Sequence, residues 1–134
     1  MNLLLDTHIA IWALNDDPQL SPRARDFILD PDNTIYISVI SVWEIMLKHA
    51  KHPKMIPFSE KDFSKACTEA GYNVLNLSEK HIHTVSTLPA PEESNGHNDP
   101  FDRILIAQAK SENLSFVTHD KRIIGYNERY IVAV

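Results

Sequence analysis

Apolar and polar positions along the chain alternate between two rhythms. Residues 2–6 carry a short apolar run, Leu3-Leu4-Leu5, that ends on Asp6, and residues 7–14 continue as an apolar, helix-compatible segment. Ser21-Pro22 reads as an N-cap followed by proline at the first helical position, opening a helix to about Leu29. Asp30-Pro31-Asp32-Asn33 is a turn cluster, and residues 34–38 alternate with β-branched side chains, which predicts a strand. A helix with a very apolar first half follows over 39–51, then a loop over 52–57. Ser59 caps a helix that runs to about Ala70 and stops at Gly71. Residues 74–77 predict a strand, and Ser78 opens a helix to about Leu88. Residues 89–98 have no periodicity and read as a surface loop. Asp99-Pro100 repeats the cap-and-proline signal for a helix to about Asn113. A strand over 114–118, a short helix near 119–124 and a last strand over 130–134 complete the pattern.

Strands alternating with helices predict α/β architecture: a three-layer α/β/α sandwich around a central parallel sheet of about five strands. In such folds ligands bind at the carboxyl ends of the strands, where strand order reverses. With 134 residues, 43% of them hydrophobic and 23% charged, the chain is expected to form one domain, 1–134, with a core that needs no disulfide. Cys67 has no second cysteine to pair with, which suits a reducing compartment. The start lacks a basic region, and the longest apolar run, from Ile9 to Leu14, is far short of the roughly 18 residues that span a bilayer. The expectation is a soluble, cytoplasmic protein with no membrane partner. A net charge of −5 argues against gripping nucleic acid by bulk basicity, so the placement of the acids becomes the question.

Four acids stand out. Asp6 ends the first strand, and Asp120 lies two residues past the strand over 114–118. Glu44 and Asp102 each interrupt a nearly all-apolar helical stretch, where an ionised carboxylate is rare without a partner. Each has a plain structural explanation. Asp6 can cap the next helix, Glu44 can pair with Lys48 four residues on, Asp102 can favour its helix dipole or pair with Arg103, and Asp120 can serve a turn. Asp99 is a better cap than ligand. Together, though, they fall at or beside one edge of one sheet. Two carboxylates ~5 Å apart at an effective dielectric near 20 repel by about 3 kcal/mol. A converging set would therefore need a proton or a cation. Oxygen-only ligation suits a hard ion, Mg²⁺ with Mn²⁺ as a substitute, and the chemistry implied is attack of metal-activated water on a phosphodiester.

Four stretches carry a resemblance: Leu3-Leu4-Leu5-Asp6-Thr7-His8-Ile9-Ala10-Ile11-Trp12, Ser38-Val39-Ile40-Ser41-Val42-Trp43-Glu44-Ile45, His97-Asn98-Asp99-Pro100-Phe101-Asp102-Arg103-Ile104-Leu105-Ile106-Ala107-Gln108-Ala109 and Phe116-Val117-Thr118-His119-Asp120. In order and spacing they resemble PIN-domain proteins of the VapC-type toxin subgroup. The resemblance implies a Mg²⁺-dependent endoribonuclease acting as the toxin of a toxin–antitoxin pair. It also implies a homodimer, an RNA substrate and inhibition by a small antitoxin encoded beside it. Asp6, Glu44 and Asp102 match the family's acidic triad, Asp120 its fourth acid, and Thr118 a polar residue lining the site. Asp99, Arg103 and Thr7 are expected to support the ligands or touch substrate.

His8, His97 and His119, each within two positions of a named acid, read first as local hydrogen-bonding residues. His81 and His83 fall on different helix faces, which disfavours a joint metal role. Trp12 and Trp43 read as core or dimer packing, and Lys48, Lys51 and Lys54 as solvated surface. Two other classes stay open: a phospho-receiver signalling domain, disfavoured because the strands over 34–38 and 74–77 do not end in an aspartate, and a catalytically silent PIN protein that only binds. A phosphatase with an aspartyl nucleophile would want a second acid at His8.

Overall fold

The computed structural model describes residues 1–91, 93 and 96–134, so part of the loop expected over 89–98 lies outside the described residues. Five parallel strands form one sheet in the order β3-β2-β1-β4-β5. They are β1 (Asn2–Leu5), β2 (Thr34–Ser38), β3 (Asn73–Leu75), β4 (Ser115–Thr118) and β5 (Ile131–Ala133). Helices α1 (Thr7–Leu14), α2 (Pro22–Leu29), α3 (Val39–Lys51), α4 (Glu60–Glu69), α5 (Glu79–Val85), α6 (Pro100–Glu112) and α7 (Lys121–Ile124) lie between them. The expected parallel α/β/α sandwich is what forms.

The central strand explains its own sequence. Leu3, Leu4 and Leu5 are each fully buried, as a strand covered on both faces requires. Leu3 and Leu5 join one core cluster with Ile9, Ile45, Phe63 and Val117. Leu4 points the other way, into a cluster with Ile40, Leu105, Ile106 and Phe116. The alternation places helices on both faces.

Caps set the helix starts. Ser21 Oγ accepts from the Ala24 amide, Ser59 Oγ from the Asp62 amide and Asp99 Oδ1 from the Asp102 amide. Asn113 ends α6 in the left-handed region at φ 57°, one of the few conformations asparagine tolerates there. Two boundaries differ from expectation. The strand expected over 74–77 is Asn73–Leu75, because only Tyr36, Ile37 and Ser38 offer it partners. The helix expected to reach Leu88 stops at Val85, where the Thr87 hydroxyl caps the Thr84 carbonyl at 2.7 Å.

The strand order places the reversal beside β1. The chain steps from β1 to β2 to β3 on one side, then crosses to β4 and β5 on the other. A crevice therefore opens where β1 and β4 end, at Asp6 and just beyond Thr118.

Candidate functional site

That crevice is a cavity of about 320 Å³ lined by Asp6, Glu44, Asp99, Asp102 and Asp120, with Lys48, Arg122, His8, Trp12 and His119 around them. All four acids expected to converge do so, from β1, α3, α6 and the loop after β4.

Each also keeps the local partner that a structural explanation anticipates. Asp6 caps α1: its Oδ1 accepts from the Thr7 amide at 2.8 Å, and its Oδ2 accepts from the Thr118 hydroxyl at 2.7 Å. Glu44 is buried, with its Oε1 accepting from the Thr7 hydroxyl at 2.7 Å and its Oε2 facing Lys48 Nζ at 2.7 Å. The Ser41 hydroxyl completes this corner, 2.8 Å from that of Thr7. Asp120 caps α7, accepting from the Arg122 amide at 2.9 Å and lying 3.4 Å from its guanidinium. The Asp102 side chain is 14% exposed, and its Oδ2 lies 3.0 Å from His97 Nε2. Glu44 and Asp120 thus each face a lysine or arginine and Asp102 a histidine, whereas among the described residues Asp6 makes no ion pair.

The electrostatics follow from this division. Burial, then the charges of Asp6, Asp99, Glu44 and Asp120, push the Asp102 carboxyl up to about 8. Burial raises Asp6 as well, against hydrogen bonds from Thr118 and the Thr7 amide that favour its charged form. Burial would also raise Asp120, but the Arg122 amide, guanidinium hydrogen bond and charge outweigh it and hold that carboxyl below its usual value. His97 is lowered by burial and then by Arg122, so it is neutral at pH 7.

The donor chemistry suits a hard cation. The cavity offers carboxylate oxygens, has room, and carries repulsion that a divalent ion would relieve. Among the described residues, no three His, Cys, Asp or Glu side chains are already grouped as ready ligands. Glu44 faces Lys48, Asp102 faces His97 and Asp120 faces Arg122.

A family model for the PIN domain matches residues 3–128. The chain belongs to the PIN domain family. Three solved structures share this fold. VapBC2 from Rickettsia felis, bound to a DNA fragment from its promoter, is 24% identical with a TM-score of 0.66 over 93% of this chain and 95% of that one. DNA-bound VapBC from Salmonella typhimurium is 19% identical with a TM-score of 0.67 over 92% of this chain and 90% of that one. A toxin–antitoxin complex from Klebsiella pneumoniae is 21% identical with a TM-score of 0.55, covering 88% and 86%. No curated protein matches the sequence.

The supporting residues of this PIN domain fall in three places. Thr118 fixes Asp6, and Thr7 fixes Glu44. Asp99 caps α6 while lining the cavity. Arg103, considered for contact with phosphate or a carboxylate, instead donates to the Pro89 carbonyl at 2.9 Å and the Tyr126 hydroxyl at 3.0 Å. Its helix position, one residue past Asp102, carries it away from the cavity. Neither tryptophan is buried core: Trp43 is 52% exposed, and Trp12 lines the cavity beside His8 and His119. His81 and His83 part as expected, His81 buried against Glu112 and His83 exposed beside Glu79. Asp6 is only 8% exposed with both oxygens bonded, a poor nucleophile for a receiver domain. The residues whose place was not legible are Arg122, an ordinary surface arginine in sequence, and Tyr126, in the turn just after α7.

Proposed function

We propose that the chain is a divalent-metal-dependent endoribonuclease, the toxin of a VapBC-like toxin–antitoxin pair. The observation that carries this reading is the cavity itself. Acids from four remote segments share it, and burial together with their repulsion holds Asp102 at about 8. Asp6 and Asp102, which among the described residues form no ion pair with a lysine or arginine, would hold Mg²⁺ or Mn²⁺, with Glu44 and Asp120 completing the set. A bound ion of this kind would acidify a water for in-line attack on phosphorus and stabilise the leaving 3′ oxygen, giving a 5′-phosphate and a 3′-hydroxyl.

The protein's own groups do the positioning. The Thr118 hydroxyl and the Thr7 amide hold both oxygens of Asp6, and the Thr7 hydroxyl holds one oxygen of Glu44. Lys48 and Arg122 line the cavity as contacts for the flanking phosphates. Five carboxylates against one lysine and one arginine still leave the site acidic, so a bound divalent ion would have to supply the positive charge that a polyanion meets.

The family resemblance and the toxin–antitoxin and VapBC complexes among similar structures support an antitoxin partner encoded nearby. Trp43, Met46 and Leu47 are exposed apolar side chains on α3, which supports a covered face and the homodimer. Among the described residues no helix is long and apolar enough to cross a membrane, in keeping with a cytoplasmic toxin.

One observation favours a second reading, a catalytically silent PIN domain: Glu44 and Asp120 already carry basic partners. A single assay decides between them. Incubation with total RNA and Mg²⁺ should give discrete fragments with 5′-phosphates, abolished by chelator. Intact RNA across a range of Mg²⁺ and Mn²⁺ concentrations would leave only the silent reading.

A further inference from the structure

The loop before α6 buries a histidine that does not line the cavity. The His97 side chain is fully buried, its Nε2 lies 3.0 Å from Asp102 Oδ2, and its Nδ1 lies 2.8 Å from the Tyr126 hydroxyl. Tyr126 is itself buried, and Arg103 Nη1 reaches its hydroxyl at 3.0 Å. We propose that His97 is a positioning residue for Asp102, held in one tautomer by Tyr126 and Arg103. The proposal deepens the metal-nuclease reading and rests on it for the role of Asp102.

The directions of the hydrogen bonds are set from the far end. A guanidinium only donates, so the Tyr126 oxygen accepts from Arg103. The phenol proton then points to Nδ1, which must accept. That leaves the proton of the neutral ring on Nε2, where it donates to Asp102 Oδ2. All three bonds polarise the same way, from the Arg103 cation toward the Asp102 carboxyl, and bonds so aligned strengthen one another.

A packing role does not account for this arrangement. An apolar ring would fill the same space without a buried imidazole and a buried hydroxyl that each need partners. The relay ties one oxygen of Asp102 to the protein's interior. Asp102 is the acid on which the charges of four neighbours fall, and among the described residues it makes no ion pair with a lysine or arginine. Untied, that carboxyl would swing away from Asp6 and Glu44. Tied, it keeps its second oxygen aimed at the place where an ion would sit. Partners that orient a ligand from behind change metal affinity by roughly 10–100-fold.

Tyr126→Phe is the cleanest test, because it removes one oxygen and keeps the ring that packs edge-on to His97 with centroids 5.5 Å apart. Mn²⁺ binding by the full chain, without RNA, should weaken by about 10-fold in Tyr126→Phe and more in His97→Phe. His97→Gln, whose amide can donate from nearly the Nε2 position, should recover most of the loss. In metal-free protein, ¹⁵N shifts should show His97 as the Nε2–H tautomer, and Tyr126→Phe should mix in the other. Unchanged Mn²⁺ affinity in both Phe variants would overturn the proposal, as would His97→Gln being no better than His97→Phe. If His97→Phe does not fold, Tyr126→Phe and the tautomer decide. Mn²⁺ binding without RNA cleavage in the wild type would sink the nuclease reading alone. No Mn²⁺ binding in the wild type would sink the metal reading, and the tautomer would still report on the relay.

Discussion

Asp102→Asn should make the metal-free protein more stable, by an amount that grows with pH. The substitution keeps the shape and an oxygen for His97 to donate to, and it removes the charge. The Asp102 carboxyl sits at about 8 in the fold against 3.8 when free. Because the folded value is the higher one, the native state holds the proton more tightly than the unfolded chain. Stability is then greatest below pH ~4, falls as pH rises from ~4 to ~8, and is level above that. A shift of about four pH units at 1.36 kcal/mol each sets a ceiling of roughly 6 kcal/mol. Partial exposure and screening reduce it, and about 2–3 kcal/mol is the expected gain for the Asn variant at pH 8.5. For a domain this size that is on the order of 10 °C in Tm. Urea unfolding followed by circular dichroism, in chelator at pH 4.5 and 8.5, measures it directly. The two proteins should coincide at the lower pH and separate at the higher. Mg²⁺ should then narrow the gap, since at a hundred times its Kd an ion binding only the folded wild type adds about 2.7 kcal/mol. Equal stability at pH 8.5, or a gap that does not change with pH, would refute the crowding of charge on Asp102.

Two further changes separate site from scaffold. Thr118→Val removes the hydroxyl that holds Asp6 Oδ2 at 2.7 Å. It should cost about 1–3 kcal/mol in a thermal melt and abolish most RNA cleavage at temperatures where the fold persists. Gln108 is fully buried beneath the sheet edge, tied to Ser38 and within 3.5 Å of the Asn76 carbonyl. Gln108→Leu should cost about 2–3 kcal/mol by stranding the Ser38 hydroxyl and that carbonyl, yet leave the metal dependence of cleavage unchanged. A loss of metal dependence there would show that the scaffold and the site are not separable.

What could be read from the chain divides along physical lines. Leu3-Leu4-Leu5 is legible as a central parallel strand because burial on both faces leaves no polar position. Glu44 and Asp102 are legible as functional candidates because a carboxylate among apolar helix residues is costly wherever it points. The Glu44–Lys48 pair is a local contact, visible from a spacing of four. Arg122 and Tyr126 are different. Arg122 meets Asp120 two residues away, but that it lines a cavity with the other acids, and that Tyr126 meets His97, shows only once the chain has folded. Arg103 is similar: its place beside Asp102 in sequence does not show that it meets the Pro89 carbonyl and the Tyr126 hydroxyl. The edge of β3 and the end of α5 depend on how much partner strand is available and on a single threonine hydroxyl, details below the reach of periodicity.

The bond from Thr118 to Asp6 joins residues 112 positions apart. β1 precedes the other four strands in chain order, and one of its two neighbours, β4, is the fourth. Its leucines must wait, half covered, until the residues of β4 are available to pair. The pocket cannot close on a nascent chain that stops short of β4. Termination before Ser115 would give a product without the wall of the pocket that carries Thr118 and Asp120.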